Sequence, residues 1–165
     1  WAKFESNQVS LEEFDELFAK ESKLAGHEIR GKEVISMLSG DLRPKMVELL
    51  KLCKEQYKVA CITNNVKAGR GPGMSTDDDK ASKVSKVMAL FDDVIESSIE
   101  GIRKPNPEIY KLACRRISVE PEKCLFIDDL GINLKPAKEL GMKTIKVLSE
   151  AQALKDICLI TNINL

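Results

Sequence analysis

The sequence predicts an α/β protein built on a doubly wound parallel sheet with helices on both faces. Two short, continuous apolar runs at residues 59–63 and 124–128 are typical of strands that are buried on both sides. Segments with helical periodicity alternate with these runs, and helices connect the strands of a parallel sheet. With 165 residues, of which 43% are hydrophobic, the chain is long enough for one such domain.

The first 40 residues are helical in pattern. Ser10 and Glu13 have the spacing of a capping box, in which each side chain accepts a hydrogen bond from the other residue's backbone N–H. Apolar residues then recur at helical spacing up to Leu24, and Gly26 suits the end of that helix. A shorter helix is predicted at residues 33–38, ended by Gly40.

From residue 42 the predicted elements alternate between helix and strand. Pro44 suits the first turn of a helix, and Asn106 is placed to cap another. Gly141 suits the end of the helix that follows the second buried strand. The predicted elements are a helix from residue 44, a strand at 59–63, a helix at 77–90, a strand at 94–97, a helix from 107, a strand at 124–128, a helix at 134–140 and a strand at 144–147.

The charge and cysteine content exclude several classes of function. The chain has 26 Lys plus Arg and 26 Asp plus Glu, and this zero net charge predicts no nucleic-acid partner and no polybasic membrane surface. No apolar run approaches the ~20 residues that cross a bilayer, so no membrane insertion is expected. The five cysteines form no C-x-x-C pair and indicate reduced thiols of an intracellular, cytoplasmic protein, with an organelle left open. One histidine, His27, cannot form a multi-histidine metal site.

Two polar motifs have ordinary structural explanations. The glycine-rich residues 69–73 are not followed by Gly-Lys-Ser/Thr, and Pro72 lacks the N–H that a phosphate loop needs. We therefore expect a mobile surface loop there. The three acidic residues at 77–79 suit the first turn of a helix, which Ser75 or Thr76 could cap.

Three further features fall where parallel sheets bind their ligands, beyond the carboxyl ends of the strands. Thr63, Asn64 and Asn65 end one predicted strand, Asp128 and Asp129 end another, and Lys104 precedes a helix that follows a third. Taken singly they are typical of a turn, a helix cap and a solvated loop. Taken together they supply a hydroxyl, a fixed cation and paired carboxylates. Such a set would bind a phosphate dianion beside a hard divalent cation.

The order of these residues resembles motifs two, three and four of the haloacid dehalogenase (HAD) superfamily. The sequence of these motifs more closely resembles the N-terminal phosphatase domain of soluble epoxide hydrolases and the related domain of some acyl-CoA dehydrogenase family proteins. Four segments carry the resemblance along most of the chain: Leu-Arg-Pro-Lys-Met at 42–46, Ala-Cys-Ile-Thr-Asn-Asn at 60–65, Gly-Ile-Arg-Lys-Pro at 101–105 and Phe-Ile-Asp-Asp-Leu-Gly-Ile-Asn-Leu-Lys-Pro-Ala at 126–137.

The resemblance implies a magnesium-dependent phosphatase that acts on a small phosphorylated substrate through an aspartyl-phosphate. By this analogy Thr63 and the Asn64 backbone would hold phosphate oxygens. Lys104 would bridge the nucleophilic carboxylate and the phosphate. The chemistry is consistent in itself, because a carboxylate that attacks an anionic phosphate needs cations to offset the repulsion.

The same resemblance assigns roles to the acidic segment. Asp129 would coordinate Mg²⁺ directly, and Asp128 would be a second ligand or would support the first. Asn133 would orient the acidic loop.

The first motif of the family, an Asp-x-Asp at the end of the first strand, is missing before Thr63. Residues 1–40 would then be the remainder of a small helical cap, and residues 41–165 an α/β core that lacks its first strand. We expect this motif to lie upstream of Trp1. We also expect the fragment itself to be inactive. In the family that strand lies between the strands ending here at Thr63 and Asp128, so these two are not expected to pair.

Two other readings compete with the phosphatase. A signalling receiver domain also combines an acidic pair, a hydroxyl and a lysine, but there the acidic pair comes first and the lysine last. The other is a non-catalytic HAD-like binding or fused domain, a pseudoenzyme that has lost its nucleophile. The full-length protein could also carry a further catalytic domain.

Overall fold

The computed structural model describes residues 1–38, 40–68, 74 and 77–165. The glycine-rich residues 69–73 and the predicted caps Ser75 and Thr76 lie outside the described residues. The elements are, in chain order, α1 (Ala2–Glu5), α2 (Leu11–Leu24), α3 (Gly31–Ser36), α4 (Pro44–Gln56), β1 (Ala60–Thr63), α5 (Asp78–Met88), β2 (Asp93–Glu96), α6 (Ser97–Glu100), α7 (Pro107–Ile117), a 3₁₀ turn (Pro121–Lys123), β3 (Leu125–Asp128), α8 (Gly131–Glu139), β4 (Lys143–Lys146) and α9 (Glu150–Thr161).

The chain divides into two compact units. The first comprises residues 1–41, 63–86 and 96–103, and the second comprises residues 42–62, 87–95 and 104–165. None of the helices within the described part is both long enough and apolar enough to cross a membrane.

The first unit has a core of aromatic side chains. Phe4 and Phe14 stack with ring centroids 4.4 Å apart, and they pack with the buried Ile35 and Val66. Gly31 begins α3 against this cluster, and a Cβ there would lie 2.7 Å from the Phe14 ring. The close approach of α3 to α2 therefore requires a residue without a side chain.

Helix α2 confirms the predicted capping box. The Ser10 hydroxyl accepts from the Glu13 N–H at 3.1 Å, and the Glu13 carboxylate accepts from the Ser10 N–H at 2.7 Å. The helix ends at Leu24, and Gly26 follows with a φ of +91°, a conformation that favours glycine.

The second unit has an aliphatic core. Leu49 on α4 packs with the buried Ile145, Ile157 and Ile163. Helix α4 begins at Pro44 as predicted, where the missing N–H costs no intrahelical bond. Helix α7 likewise has the predicted cap, since the Asn106 side chain accepts from the Glu108 N–H at 3.0 Å.

The strands form two separate pairs. β1 is hydrogen-bonded to β2, and β3 runs parallel to β4 with Asp128 opposite Lys146. Within the described residues no ladder joins β1 to β3. The predicted strands at 59–63, 94–97, 124–128 and 144–147 match β1 to β4 to within one residue at each end.

Several local features differ from the sequence prediction, among them α3, which spans Gly31–Ser36 where a helix was predicted at residues 33–38. Helix α8 begins at Gly131, three residues before the predicted start at Leu134. Gly131 and Asn133 are weak helix formers, so the sequence did not mark this first turn. Helix α9 was not predicted, although Ser149 caps it by accepting from the Gln152 N–H at 3.2 Å. Asp77 caps the start of α5 by accepting from the Lys80 N–H at 2.7 Å.

Candidate active site

The Asp128 carboxylate is the centre of the site in the second unit. Asp128 is the last residue of β3, and its backbone carbonyl accepts from the Val147 N–H at 3.0 Å, which ties it to the end of β4. The residue is only 8% exposed. A carboxylate that is buried to this extent needs charged or hydrogen-bonding partners to stay ionised.

Three residues donate to this carboxylate. Lys104 Nζ lies 2.8 Å from Oδ2, and the Leu130 N–H lies 2.8 Å from Oδ1. The Asn133 side-chain amide donates to both oxygens, at 3.0 and 3.2 Å. Both oxygens are therefore satisfied, and the carboxylate is fixed in one orientation.

The pKa of Asp128 lies below its ordinary value. Burial alone would raise this pKa, but the hydrogen bond and charge of Lys104, the Leu130 N–H and the Asn133 amide together outweigh it. Asp128 is therefore an anion at neutral pH, and Lys104 is its counterion.

Lys104 lies three residues before the start of α7 and is held on two sides. Its ammonium group contacts Asp128 and lies 5.8 Å from the centre of the Phe126 ring, within the range of a cation–π interaction. The Lys104 side chain is 13% exposed. A lysine that is held this way presents a positive charge at a fixed place, which is what an anionic ligand requires.

Asn133 is the predicted supporting residue, and the structure places it beside Asp128. It lies in the first turn of α8 and is 4% exposed. Its backbone carbonyl accepts from the Tyr110 hydroxyl at 2.8 Å. The first turn of α8 thus supports Asp128 through a side chain and is itself held by α7.

Tyr110 was missed by the sequence analysis. Its side chain is fully buried, with its ring edge-to-face on Phe126 at 5.1 Å between centroids. Burial, and next the nearby Asp128 charge, raise the pKa of the Tyr110 hydroxyl, which therefore acts as a donor. The sequence signal that could have found it is a tyrosine on the apolar face of α7. A hydroxyl buried there needs a hydrogen-bond partner, which marks the residue as structurally important.

Asp129 is the exposed member of the acidic pair. Together with Asp128 it supplies carboxylate oxygens, the ligand type of Mg²⁺, which takes one or two carboxylates and keeps several waters. Among the described residues there is no group of three or more His, Cys, Asp or Glu side chains that could hold a metal. The exposed Asp129 carboxylate is thus the group of this segment whose chemistry suits Mg²⁺.

Thr63 and Asn64 stand at the end of β1 and belong to the first unit. Both are partly buried, and the next residue, Asn65, is 2% exposed. The structure thus brings Lys104, Asp128 and Asn133 into contact, and places Thr63 and Asn64 together on the segment that follows β1.

Comparison with known proteins points to one family. Residues 3–141 match the family model of haloacid dehalogenase-like hydrolases. Acyl-CoA dehydrogenase family member 10 of Mus musculus is 32% identical over 163 residues, which are 95% of this chain and 14% of that protein. Bifunctional epoxide hydrolase 2 of Mus musculus is 31% identical over 154 residues, 87% of this chain and 26% of that protein.

A shorter part of the chain is similar to a protein named as a phosphatase. Glyceraldehyde 3-phosphate phosphatase of Pyrococcus furiosus is 34% identical over 85 residues, 48% of this chain and 35% of that protein. The chain therefore spans well under half the length of these curated relatives.

The fold is shared with solved HAD structures. One of these is a HAD family enzyme of Bacteroides thetaiotaomicron, crystallised with magnesium and inorganic phosphate. It has a TM-score of 0.62 and 22% identity, and the match covers 90% of this chain and 74% of that one. This likeness confirms the predicted fold class.

Proposed function

The chain belongs to the haloacid dehalogenase-like hydrolase family, and from this we propose that the intact protein is a magnesium-dependent phosphatase acting through an aspartyl-phosphate. The observation that carries the proposal is the contact between Lys104 and Asp128, supported by Asn133. This contact holds a cation at the end of a strand, beside a second acidic residue. Another protein with this fold was crystallised with magnesium and inorganic phosphate.

Lys104 is proposed to bind the phosphate and the attacking carboxylate. Asp128 and Phe126 limit where its ammonium group can go. A cation that is already oriented stabilises the charge that develops at the transferred phosphoryl group without reorganising during the reaction.

Thr63 and the Asn64 backbone are proposed to bind the phosphate oxygens. A hydroxyl and backbone N–H groups are neutral hydrogen-bond donors, which suit phosphate oxygens. Thr63 ends β1 and Asn64 follows it, at the end of a strand where parallel sheets bind their ligands.

Asp129 is proposed to hold Mg²⁺, with Asp128 keeping Lys104 and the acidic segment in place. When bound, the ion would neutralise charge on the phosphate as a Lewis acid. Asn133 is proposed to fix the Asp128 orientation, since its amide bridges both carboxylate oxygens.

The nucleophile is proposed to be an Asp-x-Asp on a first strand that these 165 residues do not include. No such motif precedes Thr63 at a strand end. Residues 1–40 would be the remainder of the helical cap, and residues 41–165 the core. The chain by itself would bind phosphate but would not hydrolyse phosphate esters, because no positioned carboxylate attacks phosphorus.

We further propose a small phosphorylated substrate, an intracellular location and fusion to a further catalytic domain. The cysteines of the described chain are free thiols, as in a reducing compartment. Two relatives are far longer than this chain, which supports fusion. The alternative is a non-catalytic HAD-like domain, and the missing Asp-x-Asp favours it if no such strand exists in the full-length protein.

Binding of inorganic phosphate to the 165-residue chain tests the core of the proposal. We expect calorimetry to show binding that Lys104→Ala weakens at least tenfold, since a charged hydrogen bond contributes about 1.5–3 kcal/mol. Lys111→Ala is the matched control, because Lys111 is an exposed lysine on α7 that pairs with Glu108. Equal affinity in all three proteins would contradict the role of Lys104.

A further inference from the structure

We propose that Asn65 is a positioning residue that holds Thr63 and Asn64 in the conformation that binds phosphate; this inference rests on the proposed function. Asn65 follows these residues directly and is 2% exposed. Its partners Glu96, Ser97 and Ser98 belong to the same unit of the chain. The partners lie at the end of β2 and the start of α6, so Asn65 fastens the end of β1 to them.

The backbone of Asn65 is bound by one hydroxyl. The Asn65 N–H donates to Ser97 Oγ at 3.1 Å, and the Ser97 hydroxyl donates back to the Asn65 carbonyl at 3.1 Å. Ser97 is fully buried. The peptide groups on both sides of the Asn65 Cα are thus fixed by a single side chain.

The side chain of Asn65 uses both ends of its amide. Its Oδ1 accepts from the Ser98 N–H at 3.3 Å and from the Ser98 hydroxyl at 3.0 Å. Its Nδ2 donates to the Glu96 carboxylate at 2.5 Å. The Ser98 N–H can only donate and the carboxylate can only accept, so the amide orientation is determined.

A second anchor follows immediately along the chain. Val66 is 3% exposed and packs in the cluster of Phe4, Phe14 and Ile35. Its N–H donates to the Met74 sulfur at 3.4 Å. Thr63 and Asn64 are therefore held between the β1 ladder on one side and the Asn65 and Val66 anchors on the other.

Only an amide satisfies both neighbours of the Asn65 side chain. Aspartate at position 65 would still accept from Ser98 but would place a carboxylate against Glu96. Glutamine at position 96 would restore a donor for that carboxylate. The double variant Asn65→Asp/Glu96→Gln exchanges the amide and the carboxylate between the two positions. It therefore keeps the hydrogen bonds and leaves the net charge unchanged.

The test is the affinity of the full 165-residue chain for inorganic phosphate, measured by calorimetry below the thermal midpoint of every variant. We expect N65D and N65A each to weaken binding about tenfold, and N65D/E96Q to return to within about threefold of the original chain. N65A adds no charge, so its loss separates positioning from repulsion of the anion. Rescue in N65D/E96Q would not occur if Asn65 only filled space.

Two results would overturn the inference, and they differ. If the original chain binds phosphate and N65D binds equally well, Asn65 does not position the segment, and the proposed function is unaffected. If the original chain and Thr63→Ala bind phosphate equally, or neither binds it, the proposed role of Thr63 fails, and the role of Asn65 fails with it.

Discussion

The ion pair between Lys104 and Asp128 is the residue-scale feature on which the site depends, and it gives the folding free energy a pH dependence. The pKa of Asp128 is lowered in the folded chain, so the stabilisation is present above the unfolded-state pKa of about 3.9. It is lost as the pH falls through the lower, folded-state pKa. At neutral pH the pair is fully formed.

We expect Lys104→Met to lower the free energy of unfolding at pH 7 by about 1–3 kcal/mol, because it leaves a buried carboxylate without its cation. Methionine removes the charge of Lys104 but keeps an apolar side chain of similar length beside Phe126. The difference from the original chain should shrink as the pH falls through the lowered pKa of Asp128, below which this carboxyl is protonated in both proteins. Urea titrations at several pH values measure it, with Lys111→Met as control, and a difference that is independent of pH would refute the assignment.

Tyr110→Phe tests the support that α7 gives to the acidic segment. It removes a hydroxyl and leaves the buried Asn133 carbonyl without that donor, so we expect a loss of about 1–2 kcal/mol in unfolding free energy. Tyr57→Phe is a matched control, since the Tyr57 hydroxyl also donates to a backbone carbonyl, that of Thr161, but is exposed. Equal losses in the two variants would show that burial around Tyr110 has no special effect.

Lys104, Asp128 and Asn133 were named from the sequence because each lies within a local motif, and the structure brings the three into contact. No role was assigned from the sequence to Tyr110, or to Asn65 beyond its place at the strand end, because their hydrogen-bond partners lie 23 and 32 residues away. A hydroxyl or amide on an apolar face signals that a partner must exist, but the sequence does not say which residue it is. Only the packing of the elements decides that.

At the scale of elements, residues with strong local chemistry predicted the helix ends best. The capping box of α2, Pro44 at the start of α4 and Asn106 before α7 were all confirmed. Helix α8 was placed too late, since its first turn contains Asn133 and glycine where a regular apolar pattern would mark a helix. Helix α9 was missed, although its buried face completes the second core.

The contact of α4 with α9 gives a prediction about that core. Leu49 is 1% exposed and packs with Ile157 of α9, so Leu49→Ala should destabilise the chain by about 2–5 kcal/mol. Leu159 lies on the same helix as Ile157 but is 75% exposed, and Leu159→Ala should change stability by less than about 0.5 kcal/mol. Urea unfolding of both variants measures the contrast, and similar losses would mean that α9 does not pack as described.

At the scale of the whole molecule, the fold class was predictable and is shared with solved HAD structures. Its two compact units were not predictable, because the first unit combines residues 1–41 with two segments from later in the chain. Periodicity along the sequence marks elements, but it does not show which distant segments pack together. The pairing of β1 with β2 and of β3 with β4 is likewise a property of the folded chain.

In the proposed function, these residues belong to a magnesium-dependent phosphatase whose nucleophile is an Asp-x-Asp outside this sequence. The most direct test is phosphate release from an aryl phosphate, with Mg²⁺ and with excess chelator, by the 165-residue chain and by a version extended upstream through an Asp-x-Asp strand. We predict turnover only in the extended protein and only with Mg²⁺, lowered by orders of magnitude in Lys104→Ala and with weakened Mg²⁺ dependence in Asp129→Asn. Turnover by the short chain that survives both chelator and Asp129→Asn would contradict the proposed function.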